Sequence, residues 1–343
     1  MSDVTRPNLF QHVTSELSQD AFIAWLLEWG NPNYSEKDEA LYHCSHALIR
    51  SFFEKCGKRV PTNIETITIK QQFKHIDILC IVNDNYAVII EDKTNTEDHS
   101  GQLKRYSTIV EEEEGFASEA IVPIYFKTGD QCNYDSVKEA KYELFLRNDF
   151  LKVLRTCSSA NDIFTDYREH LEEIEEQVES FKDSPPEEWS ALSPKWVGFY
   201  KRLQSRLDVC GWKYVANPSG GFYALWWNSI KVANCCLYLQ LEESKLCFKI
   251  AIVKEEQEDK KEEKRDRAFR REIRNSWHKK LMERANDYNL SLQKPDRFGS
   301  GTWMTVCVSG EEYIKCTSGL VDIDKTVSYL RQSEDLVNSF KQD

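Results

Sequence analysis

No apolar run in this sequence approaches the roughly 20 residues that a bilayer-spanning helix needs, so no membrane segment is expected. The opening stretch, MSDVTRPNLFQHV, has no basic patch leading into an apolar one, and no secretory leader is expected from it. Cys-x-x-Cys is absent. The eleven cysteines are scattered, with one adjacent pair at Cys235-Cys236. An odd count without framework spacing reads as reduced, mostly buried thiols, and hence as a cytoplasmic protein. His43, Cys44 and His46 lie close together, but nothing nearby completes a zinc set. Net positive charge is also missing: the balance is −12. That excludes a uniformly basic coat but leaves room for a local basic groove. There is no internal repeat. What remains is 343 residues, 41% hydrophobic and 30% charged, enough for a sizeable core and two globular domains.

Local patterning organises the first half. Residues 15–29 read as a helix with Thr14 or Ser15 as cap, a stripe of Leu17, Ala21, Ala24 and Trp25, and Gly30 as its end. A second helix is expected over about 36–56. Residues 64–70, 76–82 and 86–92 read as strands, the last two joined by the turn-forming Asn83-Asp84-Asn85. A helix over about 98–113, a strand over 119–126, a short strand near 141–146 and a helix over 149–156 follow. This order predicts an α/β sandwich whose first strands form a meander. A dense acidic run from Asp162 to Asp183, closed by Ser184-Pro185-Pro186, predicts an exposed acidic helix at a domain boundary. The expected organisation is a domain over 1–158, an acidic helical linker over 159–190, and an α+β domain with an antiparallel sheet over 191–343. In that last domain, Gly220-Gly221, Asn228-Ser229 and Glu243-Ser244 are the expected turns.

The chemistry concentrates at the end of "VIIEDKTN", residues 88–95. The tripeptide Glu-Asp-Lys also occurs at 258–260, in a solvated-looking run, so the letters alone carry little. The copy at Glu91-Asp92-Lys93 differs because it ends an apolar strand. With the preceding turn centred on Asp84, residue i faces residue 168 − i, which sets Asp77 opposite Glu91 and His75 opposite Lys93. Alternation then puts Asp77, Glu91 and Lys93 on one face of the sheet. Two carboxylates so placed repel, and a divalent cation between them removes the repulsion. Oxygen ligands and waters suit Mg²⁺ or Mn²⁺, and Lys93 is placed to hold or deprotonate an attacking water.

This pattern resembles the PD-(D/E)xK nuclease superfamily, with "IDILC" supplying Asp77 and "IIEDK" supplying Glu91 and Lys93; Ile76 stands where the motif has proline. "QLKRY", residues 102–106, matches the Gln-x-x-x-Tyr signature of the branch that resembles RecB and phage lambda exonuclease, with Gln102 and Tyr106 one helical turn apart. The resemblance covers roughly residues 10–155. It implies a restriction-endonuclease-like αβββαβ core and catalytic roles for Asp77, Glu91, Lys93, Gln102 and Tyr106. It also implies a metal held by Asp77, Glu91, the Asp92 carbonyl and an acid on the first helix. Glu16 is the candidate for that acid, with Asp20 as its competitor.

In the second half, Lys264 to Arg284 carries nine basic side chains against Asp266, Glu272 and Glu283. Arg267, Arg270, Arg271, Arg274, Lys279 and Lys280 are candidate phosphate contacts. The alternative is a solvated helix face over a core stripe of Phe269, Ile273, Trp277 and Leu281. Phe222, Tyr223, Trp226 and Trp227 read as core, with base stacking as the alternative. The domain is otherwise open to a role in substrate, partner or oligomer binding. The whole reads as a metal-dependent nuclease acting on nucleic acid, with DNA favoured over RNA. The second reading is a nuclease-like module that grips nucleic acid or protein without cutting.

Overall fold

The structure, a computed structural model, describes residues 7–12, 16–98, 101–218, 220–232, 235–252 and 263–342. The chain divides into two compact units between Glu176 and Gln177.

The first unit begins with α1 (Glu16–Glu28) and α2 (Glu39–Lys55). Asp38 caps α2 by accepting the Leu41 N–H at 3.0 Å, satisfying one of the orphan donors of the first turn. The expected caps of α1, Thr14 and Ser15, lie outside the described residues. Strands β1 (Ile67–Phe73), β2 (Ile76–Val82) and β3 (Tyr86–Lys93) form the meander; α3 (Gln102–Glu112), β4 (Ile121–Lys127), the short α4 (Asp135–Glu139), β5 (Glu143–Leu146), α5 (Arg147–Leu154) and α6 (Asp162–Glu179) follow. The sheet order is β1-β2-β3-β4-β5. β1, β2 and β3 are antiparallel, while β4 and β5 run parallel to β3.

Both faces of this sheet are covered, which is why β3 is buried along nearly its whole length rather than alternating. Val88 and Ile90 pack with Phe22, Leu48, Phe52 and Phe150 from the α1, α2 and α5 side. Ala87 and Ile89 pack with Leu103, Tyr106 and Val110 of α3 on the other. The β2–β3 register is Ile78↔Ile90 through Val82↔Tyr86, as the turn centred on Asp84 requires.

Three expectations need correction. β1 ends later than expected, because Lys74 and His75 adopt left-handed φ of 51° and 72° and close a two-residue hairpin between Phe73 and Ile76. His75 is therefore a turn residue and does not face Lys93 from a strand. The acidic helix is not simply exposed: Phe164, Tyr167 and Leu171 of α6 are buried in the first unit's core, Asp166 is buried beside them, and the other acids of α6 are exposed or half-buried. Asn228-Ser229 is no turn. Strand β7 (Phe222–Val232) runs through it with a register shift between Trp227 and Ile230, Asn228 taking a left-handed φ of 49°.

The second unit contains α7 (Pro194–Gln204), β6 (Val209–Val215), β7, β8 (Cys235–Glu242), β9 (Lys245–Ile252), α8 (Glu263–Arg284), β10 (Leu292–Gln293), β11 (Trp303–Ser309), the short pair β12 (Cys316–Thr317) and β13 (Leu320–Val321), and α9 (Ile323–Asn338). Its main sheet has the order β10-β11-β9-β8-β7-β6 and is antiparallel between each pair of neighbours. The α+β expectation holds. None of the eleven cysteines is in a disulfide among the described residues.

Beyond β4, Gly129 lies against the carbonyl that follows β3. A Cβ there would fall 1.9 Å from Thr94 O and 2.9 Å from Thr94 C. Gly129→Ala is expected to destabilise the protein by about 1–3 kcal/mol, because backbone cannot yield as a flexible side chain can. Urea unfolding checks this, and an unchanged midpoint would remove the close approach as a constraint.

Candidate active site

Alternation along β3 turns Glu91 and Lys93 toward α3 and Asp92 toward α1. The partners agree. Gln102 Nε2 on α3 donates to Glu91 Oε1 at 2.8 Å, whereas Gln19 Nε2 on α1 donates to Asp92 Oδ1 at 2.5 Å. Asp77 crosses from β2: its Oδ2 accepts the Asp92 N–H at 2.9 Å and its Oδ1 accepts Gln72 Nε2 at 3.2 Å.

The Lys93 ammonium is the meeting point. It lies 2.5 Å from Glu91 Oε1, 2.9 Å from the Asp92 carbonyl oxygen and 3.7 Å from Asp77 Oδ2. Glu91 is completely buried and its Oε2 has no hydrogen-bond partner. Burial, then the Asp77 charge, push the Glu91 pKa up to about 8, against the pull of Lys93. Burial also disfavours the Lys93 charge, but Glu91 and Asp77 more than restore it, so Lys93 stays an ammonium.

Gln102 Nε2 also lies 2.7 Å from the hydroxyl of the buried Tyr106, so the pair one turn apart on α3 acts as a unit behind Glu91. Tyr106 is both a core residue and a partner of Gln102.

Glu16 lies near enough to Lys93 for their charges to interact, but the hydrogen bonds it makes are to the loop after β3. Its Oε1 accepts the Thr94 N–H at 2.9 Å and the Thr96 hydroxyl at 2.7 Å. Burial opposes its ionisation, but those hydrogen bonds and Lys93 hold its pKa below the usual carboxylate range. Asp20, the competitor, is the more buried acid. Burial and the Asp77 charge raise it to about 6, and its Oδ1 has no partner. The Asp92 side chain is pushed well above the carboxylate range by burial and by Asp20, so its contribution on the α3 face is its carbonyl. Among the described residues, no group of three His, Cys, Asp or Glu side chains is set to hold a metal. The Lys93 ammonium marks the point where Asp77, Glu91 and the Asp92 carbonyl converge. An all-oxygen set with an orphaned buried carboxylate oxygen has the chemistry a hard divalent cation takes.

Some residues here escaped the sequence reading. Gln19 accepts from the Thr128 hydroxyl at 2.5 Å and from Tyr167 OH at 3.1 Å while holding Asp92. Gln72 reaches Asp77 only because of the hairpin turn at Lys74-His75, which no Gly, Pro or Asn marks. Lys127, side by side with Lys93 in the β3–β4 register, donates to the Thr96 carbonyl. Burial lowers its pKa to about 8, against Glu16 and Glu97. Its signal was present: "IVPIYFK" is another apolar strand ending in a charge. The copy of the tripeptide at 258–260 lies outside the described residues.

On α8 the candidate phosphate contacts separate. Arg267, Arg271, Lys279 and Lys280 are exposed and Arg270 is half-buried. Arg274 is a correction. It is buried, donates to Phe298 O at 2.5 Å and Gly299 O at 2.9 Å, and stacks on the Phe298 ring. Helical phase puts it on the inner face with Trp277 and Leu281. Phe269, expected in that stripe, is exposed.

Residues 7–183 match the family model of the PD-(D/E)XK nuclease superfamily. No curated protein and no solved structure matches the chain.

Proposed function

Given that the chain belongs to the PD-(D/E)XK nuclease superfamily, we propose that it is a metal-dependent nuclease that hydrolyses phosphodiester bonds in DNA. The carrying observation is the convergence of Asp77, Glu91 and the Asp92 carbonyl on the single position now taken by the Lys93 ammonium. Nucleases of this superfamily generally use divalent metals; in this chain Asp77, Glu91 and the Asp92 carbonyl would hold Mg²⁺ or Mn²⁺, with Glu16 or Asp20 behind them. Such an ion supplies charge at the phosphoryl oxygens and lowers the pKa of a bound water.

The chain's own groups do the rest. Lys93, as an ammonium, holds the attacking water by donating to its oxygen and offsets negative charge growing on the phosphate. Gln102 fixes the Glu91 carboxylate and ties it to Tyr106, an arrangement that supports placement in the Gln-x-x-x-Tyr branch. The exposed cations of α8 are the second unit's contribution to phosphate attraction. Defence against foreign DNA, or repair, is the role that family analogy offers.

The test incubates purified protein with single- and double-stranded DNA and RNA under Mn²⁺, Mg²⁺ or EDTA, beside Asp77→Ala. DNA cleavage that requires the metal and falls by on the order of 10³ in the variant is the expected result. Cleavage surviving the substitution sinks the site. Nucleic-acid binding with no metal-dependent cleavage on any substrate favours the gripping module instead.

A further inference from the structure

The sheet of the second unit has two unlike faces. The row Trp227–Leu239–Phe248–Cys307 lies on the covered one. There α9 meets Trp227 through Glu334 at 2.8 Å and α8 meets Cys307 through His278 at 3.3 Å. α7 meets Trp212, which shares this face with Leu225, through Gln204 at 2.8 Å. The opposite face carries Trp226, Tyr238 and Trp303. Tyr238 and Trp226 are half-buried, Ala224, Gln240 and Cys247 of the same face are buried, and Trp303 is 71% exposed, an unusual position for a tryptophan on a strand.

The register arranges these rings in a diagonal. Trp226 pairs with Gln240; Tyr238, one same-face step along β8, pairs with Lys249; Cys236, the next step, leads through Ala251 to Trp303. Strand spacing and rise set the Cα atoms of the first two about 8 Å apart and those of the last two about 12 Å apart. The residues between them, Cys236 and Ala251, are small. The Trp226 indole packs against Gly211 of the neighbouring strand, where a Cβ would fall 2.5 Å from the ring, so glycine is what leaves it room there. Around the rings stand Lys213, Lys231 and Lys249 against the carboxylate of Glu242, which Lys249 contacts at 2.7 Å. That is a locally positive face in a chain of net charge −12.

We propose that this sheet face, entered at the exposed Trp303, is a stacking platform for single-stranded nucleic acid. Bases of an unpaired strand stack on Trp226, Tyr238 and Trp303, and Lys213 and Lys231 meet its phosphates. Aromatic faces accept any base, so the surface is sequence-tolerant, and a duplex is disfavoured because its base faces are already stacked.

The test measures binding of full-length protein to a fluorescein-labelled oligothymidylate of about 12 nucleotides in EDTA, so that nothing is cut. Trp303→Ala is expected to weaken binding at least about 10-fold and Trp303→Phe to keep it within about 3-fold, with a duplex of equal length binding more weakly. Trp303 is largely exposed, so both variants fold, and matching thermal melts verify it. Binding unaffected by Trp303→Ala, or equal losses in the two variants, overturns the proposal. So does an absence of strand binding, including the case in which Trp303→Ala instead dissolves a dimer seen by sedimentation. Because binding is read without cutting, failure here leaves the nuclease proposal standing.

Discussion

Lys93→Met is expected to slow metal-dependent cleavage by on the order of 10³ while leaving Mn²⁺ binding as tight as in the unaltered protein or tighter. The two signs differ for a physical reason. In the metal-free protein the ammonium lies against Glu91 Oε1, the Asp92 carbonyl and Asp77 Oδ2, the same oxygens proposed to hold the ion. Removing it removes a competitor for those oxygens, and also removes the group proposed to work on the attacking water. Asp77→Ala should behave differently and lose both properties, since it deletes a ligand. Cleavage rates on labelled DNA and calorimetric Mn²⁺ titrations separate the two. If Lys93→Met cuts within about 10-fold of the normal rate, Lys93 is not the water-handling group.

Glu91→Gln is expected to abolish cleavage and yet to stabilise the metal-free protein at alkaline pH. Glu91 is an acid whose folded pKa, about 8, lies above its ordinary 4.5. Between those values the folded protein binds more protons than the unfolded chain. Stability therefore falls as pH rises through this window and stays low above it. The effect is on the order of a few kcal/mol for a fully buried carboxylate. Glutamine keeps the shape, can still accept from Gln102, and does not ionise. In EDTA the variant and the unaltered protein should melt together near about pH 5, and the variant should melt higher near about pH 9. Asp20, raised to about 6, and Asp92 add a slope of the same sign that the variant retains, so the pH dependence is reduced rather than erased. Saturating Mg²⁺ should remove part of the same slope in the unaltered protein, because the ion favours the ionised carboxylate. Parallel melting curves across the range would show that Glu91 is not the buried, reluctant acid described.

What was legible in the sequence was what short-range rules control. A three-residue turn with Asp84 at its centre fixed which residues of β2 and β3 pair, and period-two alternation then set Glu91 and Lys93 on one face and Asp92 on the other. The spacing of Gln102 and Tyr106 fixed them to one side of α3. None of these depends on distant contacts. Local pattern is silent where the answer needs a distant partner. Arg274 looks like any other cation of its helix until Phe298 and Gly299 supply acceptors from another part of the chain. Glu16 and Asp20 are one turn apart on α1 and equivalent in sequence. The loop after β3 brings Thr94 and Thr96 to Glu16, while Asp20 falls beside Asp77 and Asp92. The acidic surface of α6 concealed an apolar stripe of Phe164, Tyr167 and Leu171, because composition averages over the faces that packing separates.

The sequence by itself therefore determined the strand register, the facing of the Asp77, Glu91 and Lys93 side chains, and the α/β then α+β order, since turn geometry and alternation are local. Tertiary structure alone decided which charges are buried, which acid of α1 is the more buried, and which aromatics of the second unit stay in water. Those depend on which helix covers which face, and no local pattern encodes the identity of a packing partner about a hundred positions or a single strand away.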